Sequence, residues 1–146
     1  MSVYISHSPV DTAKVAARVA ELLPNGGVIA FTGDLGAGKT TFVKGLAASV
    51  GFSGEVSSPT FAIVHEYIGG RVPIYHFDMY RIGSWDDLYS TGYFDYLDSG
   101  AVLAVEWSEN IASALPPNYI SVDISRGESE SDRVITVTQL GGGTND

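Results

Sequence analysis

Residues 33–41 read GDLGAGKTT. The first eight fit G-x-x-x-x-G-K-[ST], a spacing whose chemistry is the binding of nucleotide phosphates. Its glycines let successive backbone N–H groups turn toward one anion, and a helix starting near Lys39 aims its positive end at the same point. In such a loop Gly33, Asp34, Leu35, Gly36, Ala37 and Gly38 form the cradle. Lys39 reaches the β- and γ-phosphates, the Thr40 hydroxyl ligates Mg²⁺, and Thr41 adds a hydroxyl at the α-phosphate. The bland alternative is a glycine turn with an exposed lysine. Against it, VIAFTG before the loop reads as a short buried strand and KTTFVKGLAASVG after it as a helix.

A nucleotidase of this kind needs a carboxylate at the end of a buried strand, near the metal. Glu106 ends AVLAVE, an uninterrupted apolar run that suits a strand covered on both faces. Asp78 ends VPIYHFD, whose Pro73 and hairpin pairing put it nearer a sheet edge. Glu106 is therefore assigned to the metal and Asp78 to a second polar role. In a strand His76 and Asp78 share a face. A pair without a third ligand is weak evidence for a metal, so His76 is read as a hydrogen-bonded structural residue, as are His7 and His65. SSPTF, between the phosphate loop and the carboxylates, holds Thr60 where nucleotide switches carry a metal-sensing threonine. Taken alone, the segment is equally a turn signature.

Stepping outward, Ser8, Pro9 and Asp11 suit the N-cap, first turn and third position of a helix whose apolar stripe is Val15, Val19, Leu22 and Leu23. A short strand at 4–6 precedes it. Residues 61–77 read as a β-hairpin turning at Gly69-Gly70. One or two short helices start at Ser84, AVLAVEW is a strand, and SENIASALPP is a short helix stopped by prolines. NYISVDIS and RVITVTQL are the last strands. The expected architecture is a three-layer α/β fold of P-loop NTPase type. Its sheet is largely parallel, with an antiparallel hairpin, a C-terminal strand pair and nucleotide at the carboxyl ends of the parallel strands. One domain is expected over 1–140, with a flexible tail at 141–146.

Bulk composition narrows the function. Seventeen acidic against eight basic residues give a net charge of −9, which repels a nucleic-acid backbone; the acidity also serves solubility. Cysteine is absent, which removes disulfides, thiol catalysis and Cys-ligated zinc and fits a reducing cytoplasm. The first residues lack a basic segment followed by an apolar one, so no secretory leader is expected, and no membrane span is long enough to predict.

GDLGAGKTT, SSPTF, HFDMYR and VEWSEN, in this order and spacing, resemble the TsaE (YjeE/YdiB) family, small bacterial P-loop ATPases of tRNA N6-threonylcarbamoyladenosine formation. The resemblance spans residues 8–124. It implies Mg²⁺-dependent ATP binding and hydrolysis in support of a TsaD–TsaB complex, with tRNA met only through that complex. It also implies that Lys39, Thr40 and Thr41 hold phosphates and Mg²⁺, that Glu106 is the metal-associated glutamate, and that Thr60 and Asp78 serve hydrolysis. By position it places Trp107 near the nucleotide and Thr12 and Arg133 near the base. The family usually has proline after the tryptophan; here Ser108 stands there and is expected to cap a helix beginning near Glu109.

Three rival readings share the phosphate motif. A GTPase would carry N-K-x-D, yet no lysine follows Lys44. A small-molecule kinase would bring several arginines on a lid, whereas the five here, at 18, 71, 81, 126 and 133, are scattered. An ATP-dependent assembly switch with incidental hydrolysis stays open, because a P-loop without its own arginine finger predicts a slow solitary ATPase either way.

Overall fold

The computed structural model describes residues 1–33, 38–54, 56 and 64–141. Its elements are β1 (Ser2–Ser6), α1 (Pro9–Glu21), β2 (Gly27–Gly33), α2 (Lys39–Ser49), β3 (Val64–Tyr67), β4 (Ile74–Asp78), α3 (Trp85–Ser90), α4 (Tyr93–Leu97), β5 (Val102–Glu106), a 3₁₀ segment (Ser108–Ala114), β6 (Tyr119–Arg126) and β7 (Arg133–Leu140). The loop positions Asp34, Leu35, Gly36 and Ala37, the switch candidate Thr60, and tail residues 142–146 lie outside the described residues.

The strands form one sheet in the order β1-β7-β6-β2-β5-β4-β3. Strands β6, β2, β5 and β4 are mutually parallel, while β3 joins β4, and β7 joins both β6 and β1, antiparallel. The sheet is thus mixed: parallel at its centre and antiparallel toward both edges. The C-terminal pair is where the sequence reading has it, and so is the hairpin from Val64 onward; its first positions, 61–63, lie outside the described residues. The added antiparallel edge is β1, which returns to pair with β7.

Alternation along the central strands builds two cores. Ile29 and Phe31 of β2, Val102 and Ala104 of β5, and Ile120, Val122 and Ile124 of β6 pack against α1 and α2. Val28, Phe77, Leu103 and Val105 face α3, α4 and the 3₁₀ segment through Leu88, Tyr93 and Ile111. Helix α1 buries Thr12, Val15, Ala16, Val19 and Ala20, one stripe at helical spacing. Its partner α2 comes close because residue 45 is glycine: a Cβ there would lie 2.6 Å from Ala13 Cα.

Two helix starts follow capping chemistry. Ser8 accepts from the Asp11 amide while Asp11 accepts from the His7 amide, and Ser84 accepts from the Asp87 amide. The segment after β5 departs from expectation. Its 3₁₀ run begins at Ser108 itself, and Trp107, in the N-cap position, makes no side-chain cap. Ser108 is buried and donates its hydroxyl to the Phe31 carbonyl at 3.1 Å. The β2–β5 ladder ends at Ala30–Val105, one residue short of Phe31. Serine therefore ties the chain leaving β5 back to β2 instead of capping a helix.

Candidate functional site

Because β6, β2, β5 and β4 run parallel, the ends of β2 (Gly33), β5 (Glu106) and β4 (Asp78) share the sheet's carboxyl edge. The antiparallel pairings bring the end of β1 (Ser6) and the start of β7 (Arg133), register partners, to the same edge. Five strand ends distant in sequence converge there.

At this edge Thr12, Gly38, Thr41 and Arg133 line one cleft of about 250 Å³, together with Ser8, Pro9 and Ser131. Gly38 has φ 108°, a left-handed conformation that glycine adopts without strain, and it precedes α2 without any side-chain cap. The first N–H groups of α2 have no intrahelical acceptors, and here no side chain of the N-cap residue takes their place. Lys39, Thr40 and Thr41 form its first turn and are all part-exposed. A carbon added to Gly38 would lie 4.0 Å from Arg133 Nε, so the guanidinium borders this glycine. Its Nη1 donates to the Glu130 and Asp132 carbonyls, both at 2.8 Å, which sets its direction. Thr12 is buried, and its Oγ1 lies 2.7 Å from Ser6 Oγ. Since Ser6 gives its proton to the Ser8 carbonyl, Thr12 donates to Ser6 and has lone pairs left for a ligand. His7 Nδ1 and Asp132 Oδ1, 2.7 Å apart, pin the cleft's rim. That hydrogen bond raises the His7 pKa and lowers that of Asp132.

The carboxylates form a second group. Asp78 and Glu106 are register partners at the ends of β4 and β5. Asp78 accepts from the Tyr80 amide at 2.9 Å, closing a turn. The Glu106 carbonyl accepts from the Met79 amide, and Asn110 Nδ2 donates to the Met79 and Tyr80 carbonyls, so the two strand ends are stapled together. Glu106 keeps 13% of its side chain exposed and pairs through Oε2 with Nε2 of fully buried His76 at 2.5 Å. Among the described residues no group of three or more His, Cys, Asp or Glu side chains could by itself hold a metal ion. A cation at Glu106 would therefore need hydroxyl, phosphate or water oxygens as further ligands, consistent with Mg²⁺ chemistry.

The cleft gathers Thr12, Gly38, Thr41 and Arg133, and the sheet edge pairs Asp78 with Glu106. Trp107, next to Glu106, has φ 59°, the one positive value for a non-glycine among the described residues; its half-buried ring packs on the exposed Tyr80 at 4.8 Å and lies against the core facing α3 and α4. Gly33 has a structural reason of its own: φ is 113°, and a Cβ would lie 2.0 Å from the Ile124 carbonyl. Sequence reasoning passed over Asn110 and Tyr67. The first lay within a quoted motif, VEWSEN; the second carried no local signal.

The profile of the family described as threonylcarbamoyl adenosine biosynthesis protein TsaE matches residues 6–135. A tRNA threonylcarbamoyladenosine biosynthesis protein TsaE of Treponema pallidum is 39% identical over 133 residues, spanning 91% of this chain and 97% of the relative. The Bacillus subtilis protein of the same name is 39% identical over 134 residues, spanning 92% of this chain and 83% of the relative. The crystal structure of Bacillus subtilis YdiB superimposes with a TM-score of 0.79 at 34% identity, over 96% of this chain and 86% of that one. The match runs through both the cleft and the carboxylate pair, and the chain belongs to the TsaE family of tRNA threonylcarbamoyladenosine biosynthesis.

Proposed function

We propose that this chain binds ATP with Mg²⁺ at the carboxyl edge, hydrolyses it, and thereby serves a TsaD–TsaB complex that forms N6-threonylcarbamoyladenosine in tRNA. The observation that carries the reading is that Thr12, Gly38, Thr41 and Arg133 line one shared cleft, opening beside the start of an α2 that lacks a side-chain cap. Glycine backbone, orphan helix N–H groups and an adjacent lysine suit a polyphosphate. The bound nucleotide supplies a phosphoanhydride bond that water can break.

The chain's own groups then divide the work. Lys39 and the amides of 33–38 neutralise and fix the phosphates; the Thr40 hydroxyl and Glu106 hold the metal; Thr41 adds a hydroxyl. Thr12 offers an acceptor and Arg133 a flat cation at the base end. Asp78 and Thr60 orient the attacking water. Trp107, one residue beyond Glu106, borders the nucleotide. With no arginine offered by a lid, turnover alone is slow and rises in the partner complex. The net charge of −9 leaves tRNA contact to that complex. We place the process in the cytoplasm; no helix among the described residues is long and apolar enough to cross a membrane.

The test is ATP hydrolysis with Mg²⁺, alone and with TsaD–TsaB, beside Lys39→Ala. Stimulation that vanishes in Lys39→Ala is the expected result. Tight ATP-dependent association without stimulated turnover would favour an assembly switch, and neither binding nor association would overturn the reading.

A further inference from the structure

His76 is wholly buried, yet both of its ring nitrogens are engaged. Nε2 lies 2.5 Å from Glu106 Oε2, and Nδ1 lies 3.3 Å from the hydroxyl of Tyr67. Tyr67 is itself buried, and its hydroxyl lies 3.5 Å from His65 Nδ1. These groups sit on β3, β4 and β5, and the register that sets His65 opposite His76 and His76 opposite Ala104 puts them on one face. A carboxylate only accepts, so Nε2 carries the proton shared with Glu106. On the other side of the ring Nδ1 faces the Tyr67 hydroxyl. Side chain and ring orientation are both specified before any ligand arrives, an arrangement common behind metal-facing groups.

We infer that His76, backed by Tyr67, is a positioning residue for Glu106: it occupies Oε2, fixes the carboxylate rotamer, and leaves Oε1 as the oxygen available to a cation at the carboxyl edge. A glutamate free to rotate would pay rotamer entropy on meeting the metal; one already held does not. The chain also reaches β3, the strand that follows residues 57–63, so the edge strand and the metal-side carboxylate are mechanically joined. The inference rests on the nucleotide reading above and adds to it a residue that need touch neither metal nor phosphate.

The experiment uses the full chain, a fluorescent ATP analogue and a Mg²⁺ titration, with thermal unfolding of each variant alongside. His76→Ala should raise the Mg²⁺ concentration for half-maximal effect about tenfold while analogue affinity in EDTA changes less than about twofold. His76→Gln, which keeps a donor at the ε position, should recover most of that loss. Tyr67→Phe, which removes only a hydroxyl, should shift Mg²⁺ dependence about two- to threefold. In the nucleotide-free protein, ¹⁵N spectra should show the His76 Nε2–H tautomer with a proton protected from exchange, and Glu106→Ala should abolish that protection. Should His76→Ala not fold, the glutamine and phenylalanine variants and the apo spectrum still decide. Wild-type Mg²⁺ dependence in all folded variants, or an Nδ1–H tautomer, would overturn the positioning role alone. Absence of Mg²⁺-dependent binding by the wild type would overturn the nucleotide reading and this inference with it.

Discussion

Hydrogen bonds at single positions do work here that residue type alone does not announce. His7 and Asp132 are 125 positions apart in sequence and meet at 2.7 Å on the cleft rim. The hydrogen bond to Asp132 raises the His7 pKa above 6.5, and the same bond lowers the Asp132 pKa below 3.8. A raised histidine contributes stability below its unfolded pKa and loses it as pH rises through the folded value. A depressed aspartate contributes above its unfolded pKa and loses it as pH falls through the folded one. The tether is therefore strongest between about pH 4 and 6.5. An NMR titration should give a His7 midpoint above 6.5 that returns toward 6.5 in Asp132→Asn. Ser108 offers a second check. Replacing it by alanine removes the hydroxyl from the Phe31 carbonyl, and urea denaturation should register a loss of about 1 kcal/mol. Neither pairing was legible beforehand: His7 and Asp132 belong to different strand ends, and a serine before an apolar helix looks like a cap until the backbone shows otherwise.

Elements were legible where one local force dominates. Ser8 with Asp11 announces α1, and the unbroken apolar run announces β5, because capping and burial act within a few residues. The turn after Glu106 failed that test. Trp107 in the left-handed region, at a cost of about 1–2 kcal/mol for a bulky side chain, redirects the chain so that a 3₁₀ segment follows, kinked at Ile111. That strain is set by tertiary contacts: the ring on Tyr80, the Ser108 hydroxyl on β2, and Asn110 on the 79–80 turn. The meeting of α1 and α2 gives a prediction at this scale. Gly45→Ala gains about 1 kcal/mol of helix propensity, but its methyl would overlap Ala13 Cα, and forced overpacking costs about 1–3 kcal/mol. The contact atom is backbone, which cannot swing away, so chemical denaturation should show net destabilisation. Because α2 carries Lys39, Thr40 and Thr41, the residues proposed to hold phosphate, on its first turn, ATP affinity should fall with it.

Across the whole molecule the decisive pairing is β1 with β7, which the sequence reading left unmade. Strand pairs between opposite ends of a chain have no local signature, since the register is chosen by faces that match only after the sheet assembles. That pairing puts Ser8 and Thr12 beside Ser131 and Arg133, and the packing of α2 on α1 brings Gly38 and Thr41 to the same cleft. The positions assigned by resemblance to the base thus gain a shared location that spacing could not provide. A ligand seated there would contact α1, α2 and the start of β7 at once, none of which is continuous with another. Binding only the folded state at 100 times its dissociation constant stabilises by about 2.7 kcal/mol. At about 2–4 °C per kcal/mol for a chain of this size, saturating Mg²⁺-ATP should raise Tm by roughly 5–10 °C. Lys39→Ala should lose the shift while keeping the Tm of the nucleotide-free protein, because Lys39 is part-exposed and belongs to neither core. Arg133→Ala should separate the two ends of the cleft. If the guanidinium serves the base, ATP should lose its advantage over triphosphate alone in the same thermal shift; if it only holds the 130–132 turn, both ligands should lose equally.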